Sequence, residues 1–230
     1  MARLHLTVEG QTELTFAARL LRPHLAESGV YVGRIELAAH ARKKRLVHRG
    51  GVLSYLPFKN DIIRRLKEDR SSDVFLSTMI DLYKLPNDFP GIDDARSERN
   101  PYCRVERLES ALAEDIGDRR FVPYIQLYEF EAMMLAMPDK ILTYYDGREK
   151  EVAELNQLVA DFGSPELVND GENTAPSKRI IAKIPEYGKA KPTAGPQIAA
   201  AIGLPAIREK CPHFASWITS LENLGTMPTT

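Results

Sequence analysis

The segment Leu4-His5-Leu6-Thr7-Val8-Glu9-Gly10-Gln11-Thr12-Glu13 constrains this chain more than any other. Leu4, Leu6 and Val8 alternate with more polar residues, and β-branched types gather toward the end, which is the pattern of a strand. Gly10 follows the acid Glu9 and can turn the chain at no steric cost. Thr12 stands where a helix N-cap belongs, and Leu14, Ala17, Ala18 and Leu21 recur after it at helical spacing. Strand, acid, glycine and helix in that order put the Glu9 carboxylate at the carboxyl end of a strand, where open α/β sheets bind ligands. The same order also describes a polar strand-to-helix turn with no chemistry, since acids are common before turns.

The rest of the chain extends this pattern. The first helix is expected to run from Thr12 to about Ser28, with a kink at Pro23, whose missing N–H removes a ladder bond. Val30 to Leu37 reads as a strand, and Ser54 to Glu68 as a helix facing inward with Leu56, Ile62, Ile63 and Leu66. Asp73 to Asp81 is apolar almost throughout, as suits a central parallel strand buried on both faces. Asn100-Pro101 starts a helix with a cap and an N1 proline, Val105, Leu108, Leu112 and Ile116 form its buried stripe, and Gly117 ends it. Phe121 to Leu127 reads as a strand in which Pro123 marks an edge or a bulge. From Asp139 onward strand signals fade. Helices are expected over 141–145, 151–162, 177–184, 197–202 and 214–221, joined at proline or glycine. The expected fold is α/β and Rossmann-like: a mostly parallel sheet flanked by helices over residues 1–136, with a helical C-terminal region over 137–230.

The 230 residues, 43% of them hydrophobic, fit one large domain, or one domain with a helical appendage, with a sizeable core. A net charge of -1 excludes a global polyanion-binding surface, so any nucleic-acid contact must be local. Arg42-Lys43-Lys44-Arg45, ahead of His48-Arg49-Gly50-Gly51, suits a loop that grips phosphate backbones. The competing reading is a solvated loop. A second basic group comprises Lys178, Arg179, Lys183, Lys189 and Lys191. Cys103 and Cys211 show no metal-site spacing and suit free thiols in a reducing compartment. The first apolar run is broken by His5, Thr7 and Glu9, unlike a signal peptide. No run approaches the roughly twenty apolar residues of a membrane span. A cytoplasmic protein is the expectation.

Three strand segments end in acids: Glu9, Asp81 and Glu129, with Glu131 close by. In a parallel sheet such ends share one edge, so carboxylates distant in sequence can converge. Clustered carboxylates repel unless a cation neutralises them. Oxygen-only ligands select hard ions such as Mg²⁺ or Mn²⁺. An ion held there polarises a phosphoryl oxygen and activates water for in-line attack. The rival reading is that these acids cap helices or pair with nearby Arg and Lys. His213, after Cys211-Pro212, reads as a structural histidine at a helix start, since one Cys and one His make no zinc site. Trp217, with Phe214 and Ile218, reads as core.

Val8-Glu9-Gly10-Gln11-Thr12-Glu13, followed by a buried strand ending at Asp81, resembles the Toprim (topoisomerase–primase) domain. The whole chain resembles a Toprim-like bacterial family labelled only as a domain of unknown function. The segments that carry this likeness are Thr78-Met79-Ile80-Asp81-Leu82-Tyr83, Asp88-Phe89-Pro90-Gly91, Pro123 to Ala132, Ala175-Pro176-Ser177-Lys178-Arg179-Ile180 and Ile207 to Phe214. Related Toprim proteins include the overcoming-lysogenization-defect (OLD) nucleases, whose kin are often encoded beside AAA- or ABC-type ATPases in phage-defence islands.

The resemblance implies an Mg²⁺- or Mn²⁺-dependent nuclease acting on DNA or RNA, with an ATPase partner and with a homodimer left open. Glu9 and Asp81 would hold metal, Glu129 or Glu131 would complete the shell, and Glu13 would be a second-metal ligand or water-positioning base. Lys178 would support the transition state, because a cation beside the phosphorane lowers its charge cost. Lys178 also reads as an ordinary first-turn helix lysine, with Ser177 as its cap. The usual second motif is Asp-x-Asp, and here it is Asp81-Leu82-Tyr83. Asp88, Glu129 or Glu131 would then substitute, or the site would be weakened or dead. The competing class is a non-catalytic Toprim-derived subunit that binds an ATPase or nucleic acid. If Arg42, Lys43, Lys44 and Arg45 contact duplex phosphates, neutralising them should flatten the dependence of log K on log salt by about 0.9 per lost contact. An unchanged slope in a salt titration would leave them as solvated surface.

Overall fold

The computed structural model describes residues 1–38, 54–83, 85–169 and 173–226. The basic cluster Arg42 to Arg45, the His48 to Gly51 stretch and the last four residues lie outside them. The chain divides into two compact units, Met1–Gln126 with Trp217–Thr230, and Leu127–Ser216.

The first unit is built on a sheet of β1 (Ala2–Val8), β2 (Val30–Leu37), β3 (Val74–Asp81), β4 (Phe121–Val122) and β5 (Ile125–Gln126). The order is β2-β1-β3-β4, with β5 also on β3, and these pairings are parallel. Parallel neighbours need crossovers long enough for a helix. Between β1 and β2 these are α1 (Gln11–Phe16) and α2 (Arg22–Glu27). α3 (Tyr55–Glu68) leads into β3, and α4 (Ile92–Ser97) and α5 (Pro101–Ile116) lead out of it. The result is the expected Rossmann-like α/β sheet flanked by helices. β3 is buried from Val74 to Ile80, as an apolar run covered on both faces should be.

Local deviations have local causes. The first helix starts at Gln11 and passes through a π-helical turn at Ala17–Leu21 before α2. That wide turn directly precedes Pro23, which has no N–H to give and whose ring would crowd a carbonyl one turn back. In α3, Leu56 is 61% exposed, contrary to expectation, while Tyr55 and Phe58 are buried. Asp88 reaches back to this helix start and accepts from the Tyr55 amide with both oxygens at 3.2 Å. The 82–100 stretch, expected as loop, thus contains α4 and a cap for α3. Asn100 caps α5 as expected, accepting from Tyr102 N and Cys103 N.

The second unit is helical: α6 (Glu131–Met134), α7 (Glu149–Phe162), α8 (Pro176–Lys183), α9 (Tyr187–Ile202), α10 (Leu204–Lys210) and the start of α11 (Pro212–Asn223). α9 is far longer than the expected 197–202. Pro192 and Pro196 lie inside it, where they read as breakers. Its buried Ala194, Gly195, Pro196, Ile198 and Ala199 show tertiary packing overriding propensity. Within the first unit, Trp217 is core as expected. Its ring stacks on Tyr124 at 4.1 Å, and its Nε1–H donates to Ser77 Oγ at 2.9 Å.

The segment expected as one strand over 121–127 is two short pieces, with Pro123 and Tyr124 between them. Both pieces pair with β3 at the same offset, Leu76↔Phe121 and Ser77↔Val122, then Ile80↔Ile125 and Asp81↔Gln126. Pro123 has no amide for the ladder, and the Thr78 hydroxyl bridges the gap. It donates to Tyr124 O at 3.1 Å and accepts from Tyr124 N at 2.9 Å. Thr78→Val should therefore strand a buried amide and carbonyl and cost about 2 kcal/mol. The check is a urea midpoint lowered at unchanged m; a loss below about 0.5 kcal/mol would show that Thr78 does not carry the gap.

Candidate functional site

β1 and β3 are neighbours paired Val8↔Met79, so Glu9 and Asp81 emerge together at the carboxyl edge of the sheet. Glu9 N donates to Met79 O at 3.0 Å. The Glu9 carboxylate then crosses to the end of the neighbouring strand, where its Oε2 accepts from Asp81 N at 2.8 Å. Both residues are half-buried. The ends of β1 and β3 thus meet through the Asp81 backbone amide.

The turn after Glu9 works differently from the sequence expectation. Gly10 has φ -144° and ψ -173°, an extended conformation open to any residue. Its lack of a side chain matters for another reason: a Cβ there would lie 3.1 Å from Glu13 Oε2. That oxygen accepts from Gly10 N at 2.8 Å. Gly10, not Thr12, is the N-cap of α1, and Glu13 at N3 closes a capping-box bond. Glu13 is buried.

Among the described residues, Glu9 and Asp81 supply oxygen donors at this edge. Among the described residues, no group of three or more His, Cys, Asp or Glu is placed to hold a metal ion. A carboxylate pair fits Mg²⁺, which commonly keeps several waters and takes one or two protein carboxylates. Tyr83 is half-buried just beyond β3. Asp88, one of the expected substitutes for the second acid, is engaged at the α3 N-terminus.

In the second unit, the structure brings Glu129, Glu131 and the helix of Lys178 together. Among the described residues Tyr128 alone of the non-glycines has a positive φ, 60°. Such a conformation is strained for an aromatic residue and persists only where its surroundings hold it. After this reversal, Glu129 Oε2 accepts from Ser177 N at 2.9 Å in the first turn of α8. Ser177 is therefore capped rather than capping, and exposed Lys178 follows it. Glu131 Oε1 accepts from Tyr187 OH at 2.9 Å and pairs with Lys191 Nζ at 3.1 Å. Burial pushes the Glu131 carboxyl up, Lys191 pulls against that, and the Glu129 charge pushes further. Tyr187 and Lys191 stand one turn apart on α9, a relation that the prolines inside this helix conceal in the sequence. His213 lies at a helix start as expected. Its amide and that of Phe214 donate to buried Glu166 at 3.0 and 2.9 Å, an acceptor with no local signal in the sequence. Burial pushes the Cys211 thiol up, and Glu166 adds to that, so this thiol is protected from ionising.

Compared with known proteins, residues 8–222 match the model of a family described as Domain of unknown function (DUF4276). No curated protein and no solved structure matches the chain. No helix among the described residues is long and apolar enough to cross a membrane.

The Glu131–Lys191 pair yields a pH test. A carboxyl whose folded pKa exceeds its unfolded value stabilises the fold below the ordinary carboxylate range, and that contribution is lost as pH rises through the folded value. Lys191→Met removes the group that opposes the rise. The variant should be less stable than wild type at neutral pH, by less than the about 3–5 kcal/mol of a fully buried pair, since Lys191 is partly exposed. Its deficit should shrink as Glu131 is protonated at low pH. Melting curves across pH check this, and a pH-independent deficit would contradict it.

Proposed function

The chain belongs to the DUF4276 family, and we propose that it is a metal-dependent phosphodiesterase acting on DNA or RNA. One observation carries this reading. Glu9 and Asp81 stand at the ends of adjacent parallel strands, and the Glu9 carboxylate is fixed on the Asp81 amide. That is the edge at which open α/β sheets bind ligands, and the two side chains are hard oxygen donors. The resemblance of the Glu9 to Glu13 segment to Toprim domains adds support.

Glu9 and Asp81 would hold Mg²⁺ or Mn²⁺. When bound, such an ion supplies Lewis-acid polarisation of a phosphoryl oxygen and a more acidic water. The chain's own part is orientation. Glu9 keeps one oxygen on the Asp81 amide, so its carboxylate is preorganised before any ion arrives, which lowers the reorganisation needed on binding. The Toprim likeness assigns the transition-state cation to Lys178 and the phosphate grip to Arg42, Lys43, Lys44 and Arg45. On that likeness the protein would work with an AAA- or ABC-type ATPase in phage defence. A second reading, a non-catalytic subunit that binds an ATPase or nucleic acid, is favoured by Tyr83 standing where Toprim domains carry their second acid.

Glu9→Gln separates the readings. Its amide oxygen can still accept the Asp81 N–H, so metal-free stability should stay within about 1 kcal/mol of wild type. Its lost charge should lower Mg²⁺-dependent cleavage by orders of magnitude and abolish most of the melting-temperature rise that Mn²⁺ gives the wild type by mass action. Tyr83→Asp should increase that rise. A wild type with neither a metal-dependent shift nor cleavage, even with an ATPase partner added, would leave the binding-subunit reading.

A further inference from the structure

We propose that Glu13 is a positioning residue that holds the Glu9 carboxylate in place through the Gly10 amide, and not a ligand of a second metal ion; this rests on the reading of Glu9 and Asp81 as metal ligands. The Gly10 N–H belongs to the peptide unit that leaves Glu9. Glu13 Oε2 accepts it at 2.8 Å, while the N–H of Glu9 itself is held by Met79 O at 3.0 Å. The backbone of Glu9 is therefore anchored on both sides. From that fixed base its side chain reaches Asp81 N at 2.8 Å. Releasing the second anchor lets the strand-to-helix turn rotate and carries the Glu9 carboxylate off the Asp81 amide.

Two further observations fit this role. Glu13 is only 6% exposed, and a buried carboxylate has to be satisfied by donors such as the Gly10 amide. The glycine is also explained. Its backbone conformation is one that any residue adopts, but a Cβ would sit 3.1 Å from the Glu13 oxygen that makes the bond. Gly10 is needed for the approach of Glu13, and Glu13 for the setting of Glu9.

The test uses the full chain and two variants. Glu13→Gln keeps an oxygen for the Gly10 amide and loses the charge; Glu13→Ala loses both. Hydrogen exchange at the Gly10 and Asp81 amides is measured by NMR without metal. Mn²⁺ affinity is measured from the metal-induced rise in Tm. The expected result is faster exchange at both amides in Glu13→Ala, with Mn²⁺ affinity weakened about 10- to 100-fold, and near wild-type values for both in Glu13→Gln. Equal loss of Mn²⁺ affinity in the two variants would overturn the proposal and make Glu13 a ligand. Faster exchange at Gly10 alone, with Asp81 protection unchanged, would also overturn it. A wild type that shows no Mn²⁺ shift removes the ligand reading of Glu9 and Asp81, while the exchange pattern still decides whether Glu13 sets Glu9. If Glu13→Ala does not fold, Gly10→Ala replaces it: a methyl against the Glu13 oxygen should speed Asp81 exchange and weaken Mn²⁺ binding, and unchanged values would count against the proposal.

Discussion

Carboxylates that accept backbone N–H groups hold this protein together at its turns. Helix starts and strand ends leave amides that the regular ladder does not satisfy. Here acids distant in sequence supply many of the acceptors. Glu9 takes the Asp81 amide, Asp88 that of Tyr55, and Glu109 that of Ile125. Glu129 takes the Ser177 amide, and Glu166 those of His213 and Phe214. A hydrogen bond to an ionised group contributes about 1.5–3 kcal/mol, so these bonds fix where one element stops relative to another. They also explain why acids at strand ends are ambiguous in a sequence: a cap and a metal ligand need the same residue type at the same kind of place.

Glu9 stands on both sides of that ambiguity. Its bond to the Asp81 amide ties the ends of β1 and β3 together at the edge where α/β sheets bind ligands. Glu131 differs. Its carboxylate is buried beside Tyr187 and Lys191, and an acid so placed mainly ties α6 to α9. Glu9 is tied to a backbone amide within the first unit, while Glu131 pairs with a cation, Lys191, within the second.

The first unit carries further charge beneath α3. Arg65, 7% exposed, is held by Asp61 on its own helix and by Glu36 of β2, and reaches the Leu37 carbonyl at 3.5 Å. Burying a guanidinium is costly unless its donors are met, and here they are met by groups from two elements. The pairing therefore locks α3 onto the end of β2. His5 of β1 lies on the same face and accepts from the Arg34 amide at 3.0 Å, close over Gly33, where a Cβ would meet the ring at 2.8 Å. Burial and then the Arg34 charge hold the His5 pKa below its usual value, which keeps that nitrogen available as an acceptor.

The sequence alone determined the features that depend on local pattern. The apolar run of β3, the span of β2, the α5 helix between Asn100 and Gly117, and the acids that end β1 and β3 all follow from periodicity, capping and turn chemistry. These act over a few residues. Tertiary structure decided what depends on distant partners: that Thr78 bridges a broken strand, that packing carries α9 through two prolines, and that Trp217 returns to the sheet to stack on Tyr124. It also decided which acids are spoken for, since Glu13, Glu129 and Glu131 look alike along the chain. A carboxylate's role is set by the donor it meets, and for Glu129, Glu131 and Glu166 that donor lies dozens of residues away, where no local pattern can show it.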